Sequence, residues 1–204
     1  TSAASYVVGQ DRLDNRLDPS EGSLFELRQE LAGIGGDAKF YKITGRAAYY
    51  RPINFNALFF GLKGRVSQVV GLGEKVTQSQ RFFLGGRDVR GFALSGIGPR
   101  DTGSNAAVGG NTLVTGSVEV VSPLGLSKDL NMRWPVFSDF GSVWDPAAPP
   151  PQTGPKDKSM RSSVGVGLLW DTVLGPLSFY WASPVSKKSY DRTKTFQFNI
   201  GTRL

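Results

Sequence analysis

Apolar and polar residues alternate with a period of two along most of this chain. Nine segments carry the alternation: Ser5–Asp11, Ser23–Gly33, Lys39–Pro52, Ala57–Val70, Thr112–Ser122, Leu130–Trp144, Met160–Thr172, Pro176–Val185 and Lys194–Leu204. Successive side chains of a strand point to opposite faces, so this period predicts β-strands with one apolar and one polar face. In the last segment Phe196, Phe198, Ile200 and Leu204 share a face, and Thr195, Gln197, Asn199, Gly201 and Arg203 share the other. In Met160–Thr172, Val164, Val166, Leu168 and Trp170 oppose Arg161, Ser163, Gly165 and Gly167.

The connections are unequal. Segments 50–56, 123–129 and 173–176 are short, whereas Gly71–Asn111 runs for about forty residues; Asp145–Ser159 holds a proline run suited to an extended exposed loop. Short turns at one end and long loops at the other fit an all-β, antiparallel transmembrane β-barrel. A soluble sandwich alternates as well. Two features favour the membrane arrangement. The polar faces mix glycine, small residues and charges of both signs, as a crowded wet lumen would. Tyr49, Tyr50, Trp144 and Trp170 stand near strand ends, where an aromatic girdle meets the headgroups. No apolar run approaches the roughly 18 to 20 residues of a membrane helix.

Composition narrows the chemistry. The 204 residues include no Cys and no His. This excludes a disulfide framework, the usual N/S zinc sites, the usual haem ligands and His-based nucleophilic catalysis. The expectation is a protein that is not an enzyme and uses no cofactor or metal. The formal charge is +7, but Lys187-Lys188 is the only adjacent basic pair, so no nucleic-acid track is expected. The chain opens at Thr1 without Met or a signal segment, which suggests a cut end.

Candidate chemistry centres on the long loop. It contains Arg81-Phe82-Phe83-Leu84-Gly85-Gly86-Arg87-Asp88-Val89-Arg90-Gly91-Phe92, followed by Gly96-Ile97-Gly98-Pro99-Arg100. Alternation puts Glu119 on one face with Leu113, Thr115 and Ser117, and Asp139 with Asn131, Arg133 and Gly141. Both carboxylates should point into the lumen. An Arg90 guanidinium held between them would clamp the loop tip inside the barrel; otherwise Arg90 is solvated and the acids are ordinary lumen charges. Gly85, Gly86 and Gly91 read as turn formers. A phosphate cradle is not expected, because no helix pattern or Walker lysine follows.

These motifs, in this order, resemble the BamA family of outer-membrane β-barrel assembly proteins. That family carries a Val-Arg-Gly-Phe/Tyr motif in its sixth extracellular loop. Asp139-Phe140-Gly141-Ser142-Val143-Trp144, Leu174-Gly175-Pro176-Leu177 and Phe196-Gln197-Phe198-Asn199-Ile200-Gly201 extend the resemblance to the end of the chain. It implies that residues 1–204 are the C-terminal eight or nine strands of a sixteen-stranded barrel, with 71–111 as an extracellular loop and the POTRA domains absent. Carried over by position, it implies an Arg90 clamp on Glu119 and Asp139, and a loop motif of Val89, Gly91, Phe92, Gly85 and Gly86. It further implies a lateral gate and β-signal at Phe196, Phe198, Ile200, Gly201 and Leu204, although Leu204 stands where the family has a terminal aromatic.

The activity implied is folding and insertion of β-barrel proteins into the outer membrane of a Gram-negative bacterium. Its partners would be outer-membrane lipids, unfolded client proteins and, through the missing POTRA domains, the BAM lipoproteins. The alternative is a two-partner secretion transporter, which shares the loop motif and exports a protein. Nine segments do not suit closure, since such barrels have even strand numbers. Either the first is too short to count and eight strands close a small barrel, or two copies associate, or the chain is a natural or engineered part of a larger barrel. An eight-stranded lumen is filled by side chains, so the last of these is expected.

Overall fold

The computed structural model describes residues 2–16, 18–33, 38–53, 58–125, 131–145, 152–154, 156–172 and 175–201. Its strands are β1 Ala3–Asp11, β2 Gly22–Ala32, β3 Phe40–Ile53, β4 Leu58–Gly71, β5 Gly91–Phe92, β6 Arg100–Asp101, β7 Thr112–Pro123, β8 Met132–Trp144, β9 Gln152–Thr153, β10 Arg161–Thr172, β11 Gly175–Ser186, β12 Thr193–Lys194 and β13 Phe196–Ile200. Nine of them form one antiparallel sheet in the order β1-β2-β3-β4-β7-β8-β10-β11-β13. Strands adjacent in the sheet follow one another along the chain, as a meander with inward and outward faces requires. β1 has nine residues and pairs along its whole length with β2, so it counts as a full strand. No pairing joins β1 to β13 among the described residues.

The sheet curls. Arg133 on β8 bonds to Asp18 in the β1–β2 connection. A cavity of about 530 Å³ is lined by residues from β1 to β13, among them Asp11, Glu26, Lys63, Arg90 and Asn199. Its convex face carries Val66, Val136, Val164, Val166, Trp181 and Phe198, all exposed. An apolar outer face around a polar concave one is the pattern of a barrel whose solvent is lipid.

The concave face is drier than its alternation suggests. Leu113 of β7 and Val143 of β8 pack with Leu84, Val89, Phe92 and Ile97 of the long loop. Ala48, Tyr50, Phe59, Val121 and Leu169 form a second cluster. Tyr50 therefore does not join a girdle. Tyr49 is exposed, but its neighbour necessarily faces inward, where Tyr50 packs against Phe59 at a ring separation of 6.3 Å.

Two further expectations change. The segment 145–159 is not simply exposed. Asp145 is buried and accepts a bond from Asn111 at 3.2 Å, and β9 pairs with β6 of the long loop, giving that backbone the partners it needs; the proline run itself lies outside the described residues. Lys194–Leu204 is not one strand. Thr193–Lys194 pairs with Gly91–Phe92, and only Phe196–Ile200 pairs with β11, over Leu177–Trp181. Proline explains the division. Ala182 N–H donates to Thr195 O at 2.9 Å, and the next amide of β11 facing that side would belong to residue 184, which is Pro184 and has no N–H. Below, β13 ends at Gly201, whose φ of +107° suits glycine. Arg203 and Leu204 lie outside the described residues.

Because Leu113 joins the loop to the sheet, Leu113→Ala is expected to lower stability by about 2–5 kcal/mol. Urea unfolding in detergent measures the loss.

Candidate functional site

The loop between β4 and β7 is pinned on both sides of Arg90. Val89 and Phe92 are fully buried against Leu113 and Val143. Gly91 has φ +91° and lies so close to β11 that a Cβ would stand 3.3 Å from Cβ of Ala182. Glycine alone meets both demands easily. These constraints leave the Arg90 side chain across the inner faces of β7 and β8.

Strand register supplies its partners. Ser117 of β7 stands opposite Asp139 of β8, and Glu119 stands opposite Phe137. Arg90 Nε donates to Asp139 Oδ2 at 2.7 Å and Nη2 to Oδ1 at 2.8 Å, a bidentate fork, and the Arg90 backbone N–H adds a third bond at 2.9 Å. Glu119 accepts from Nη1 and Nη2 at 3.5 and 3.4 Å. Ser117 Oγ receives Nη2 at 3.1 Å and donates to Asp139 at 2.7 Å. The second Glu119 oxygen pairs with Lys63 Nζ of β4 at 3.1 Å.

Asp139, Arg90 and Glu119 are only 1%, 7% and 8% exposed. Such burial is tolerable because the charges compensate: Arg90 and Lys63 against Glu119 and Asp139. The guanidinium also lies over the Phe137 ring, 3.4 Å from its centroid, with Tyr180 edge-on to Phe137 beside it.

Two more arginines order the surrounding loops. Arg100 gathers four carbonyls, those of Ser95, Gly96, Asn105 and Tyr190, at 3.0, 3.2, 3.1 and 2.8 Å. Arg161, at the head of β10, pairs with Asp191 at 3.0 Å and Asp157 at 3.3 Å, and donates to Tyr190 Oη at 2.9 Å. Tyr190 donates in turn to Asp157 at 2.5 Å. Burial works against ionisation of Asp157. The bonds from Ser159 and Tyr190, with Arg161 alongside, outweigh it and hold the carboxyl below the usual carboxylate range. Burial first, and the bond to Asp157 second, push the Tyr190 phenol up to about 12, against the pull of Arg161.

The structure thus gathers Arg90, Glu119 and Asp139 with Val89, Gly91 and Phe92; Gly86 N–H bonds to Phe92 O at 3.1 Å, after the turn at Gly85. It also joins this cluster to the last strand, which sequence reading treats separately. Gln197 Nε2 donates to Phe92 O at 2.7 Å, and Arg87 Nε to Asn199 Oδ1 at 3.3 Å. Phe196, Phe198 and Ile200 face outward and are exposed. Lys63, Ser117, Phe137, Tyr180 and Gln197 escape a reading of motifs, although the same period-two parity that selects Glu119 and Asp139 marks them as inward. Parity places Arg161 on the inward face as well, but no local signal pairs it with Asp191.

Arg90→Ala leaves two acids against Lys63 alone and is expected to destabilise by about 3–5 kcal/mol. Arg90→Lys keeps the charge and loses the fork, so protease protection of the loop should fall in both, less in the second. In the Tyr190–Asp157 pair, the phenol's folded value lies above its unfolded one. The stability it contributes is full below the ordinary tyrosine range and is lost as pH rises through about 12. Tyrosinate absorbance should show a late-titrating component that is lost in Tyr190→Phe.

Residues 1–204 match the Omp85 superfamily domain. The chain is 32% identical over 200 residues to the outer membrane protein assembly factor BamA of Neorickettsia risticii, covering 98% of this chain and 27% of that protein. It is 33% identical over 127 residues to the sorting and assembly machinery component 50 homolog of Mus musculus, covering 60% of this chain and 26% of that protein. The crystal structure of BamA from Haemophilus ducreyi lacking POTRA domains 1–3 has a TM-score of 0.86 and 28% identity, over 98% of this chain and 42% of that one. The chain therefore spans about a quarter of the length of these two relatives. With a match from its first residue to its last and a sheet that superposes on a BamA barrel, the chain belongs to the Omp85 superfamily.

Proposed function

We propose that this chain is the C-terminal part of the barrel of an outer-membrane insertase, which folds and inserts β-barrel proteins by offering them a weakly held strand edge. The observation that carries the reading is the likeness of nearly the whole chain to BamA assembly factors in sequence and in fold, and the main-chain geometry of β13 suits it. Ala182 N–H bonds to Thr195 O at 2.9 Å and Gly201 N–H to Pro176 O at 3.0 Å, so residues 195, 197, 199 and 201 turn their backbone groups toward β11. The alternate residues, Phe196, Phe198 and Ile200, turn theirs to a side with no strand among the described residues. β13 is also short, five residues against twelve in β11.

An open edge in lipid is unfavourable, because each unpaired backbone group lacks water. A client strand that adds there by β-augmentation trades one set of hydrogen bonds for another and never exposes its own. The outward side chains of β13 already match lipid, so the added strand continues the apolar surface. This work makes and breaks no covalent bond, and the protein is not an enzyme. The loop clamp keeps the concave side of β7 and β8 rigid, so that movement is confined to the edges. Outer-membrane lipids would cover the convex face, unfolded clients would meet the edge, and lipoproteins of the assembly complex would act through POTRA domains outside this chain. The setting is the outer membrane of a Gram-negative bacterium. Support comes from the relatives' names, which are those of assembly factors; nothing favours export of a protein through the lumen.

Reconstituting the full-length protein in liposomes tests this. It should accelerate folding of a purified small outer-membrane barrel, read by heat-modifiable gel mobility. Phe198→Pro removes one N–H from the open edge and none from the β11 ladder, and the rate should fall about tenfold. An unchanged rate would sink the reading.

A further inference from the structure

The head of the last strand has a partner on the same alternate series of residues that lower down meets no strand among the described residues. Ala93 N–H donates to Arg192 O at 2.9 Å and Arg192 N–H to Gly96 O at 2.8 Å. Thr193 pairs with Phe92 and Lys194 with Gly91. In an antiparallel ribbon this places the backbone groups of residues 192 and 194 toward the loop. Continued two by two through the bend at Thr195, the series becomes Phe196, Phe198 and Ile200.

We infer that β5, the Gly91–Phe92 strand of the loop motif, caps the upper end of the open edge and so sets the length of the seam that an incoming strand can use. With the cap in place, a partner has the rungs of Phe196, Phe198 and Ile200. With the cap released, residues 192 and 194 join them. The partner that fits is an extended strand, antiparallel to β13, with alternate apolar side chains toward lipid. This follows from the direction in which the backbone groups of Phe196, Phe198 and Ile200 point, away from β11, and from the exposed outward side chains of β13.

Three observations support a built cap. Gly91 seats the ribbon against Ala182 of β11, at a distance that leaves no room for a larger residue to fit without displacement. Gln197 and Asn199, on the inner face of β13, both bond to the loop. Pro184 ends the β11–β13 ladder below the ribbon, so the strand head is held by the loop instead of the sheet. Through Val89 and Arg90 the cap is continuous with the clamp on β7 and β8, and release of the clamp should release the cap. Pro184 and Gln197 are thus positioning residues for the seam.

The use of the seam by a client rests on the insertase reading; the capping does not. Residue-resolved amide exchange in the full-length protein, in nanodiscs, tests the cap. Lys194→Pro deletes a loop-facing N–H and leaves Thr195 O available to Ala182. Exchange at Ala93 and Arg192 should rise at least tenfold, with Ala182 unchanged. Asp139→Asn, on β8 and away from the last strand, should raise the same two amides and again spare Ala182. Gln197→Leu provides a third route if Asp139→Asn does not fold. Joint loss at Ala93 and Ala182 would show that the last strand loosens as one piece and would overturn the cap, as would unchanged exchange at Ala93. The liposome assay of the unmodified protein judges the insertase reading separately, so failure of one is distinct from failure of the other.

Discussion

The structure is organised around the burial of one guanidinium. Arg90 leaves water only because strand register presents Ser117 beside Glu119 on β7 and Asp139 opposite on β8, with Lys63 balancing the second acid. A charge in so dry a place without these partners would outweigh most other single interactions in the protein. Clamp and register therefore depend on each other. A slip of one residue between β7 and β8 would turn one acid toward lipid, and the loop would lose its anchor.

Arginine is used three ways within a short distance, each suited to its planar fork. Arg90 takes a carboxylate in two parallel bonds while its face stacks on Phe137. Arg100 collects carbonyls from three stretches of chain, a role for which a lysine has too few directed donors. Arg161 joins the head of β10 to acids in two loops. Together they join the loops at this end of the sheet into a connected body. The last strand is shorter than its neighbour β11, bounded above by Pro184 and below by Gly201.

Much of this is visible before folding. The period-two pattern yields all nine sheet strands to within a few residues, and it selects Glu119 and Asp139 as inward acids by parity alone. Parity also marks Lys63, Ser117 and Phe137, but parity says which way a side chain points and not what stands across from it. Tyr50 shows the opposite error, since its aromatic character suggested an interface position while its place beside the exposed Tyr49 required an inward one.

What the sequence determined by itself is the set of strands, their two faces and the loop residue able to hold two acids, because those depend on local geometry and on side-chain chemistry. Tertiary structure alone decided the rest: that the long loop packs an apolar cluster against β7 and β8, that Arg161 meets Asp191, and that Thr193–Lys194 leaves the sheet for Gly91–Phe92. These pairings span about 30 to 100 residues of chain. They depend on how strongly the sheet curls and on which backbone donors its neighbours have already used, and no local pattern of residues records either.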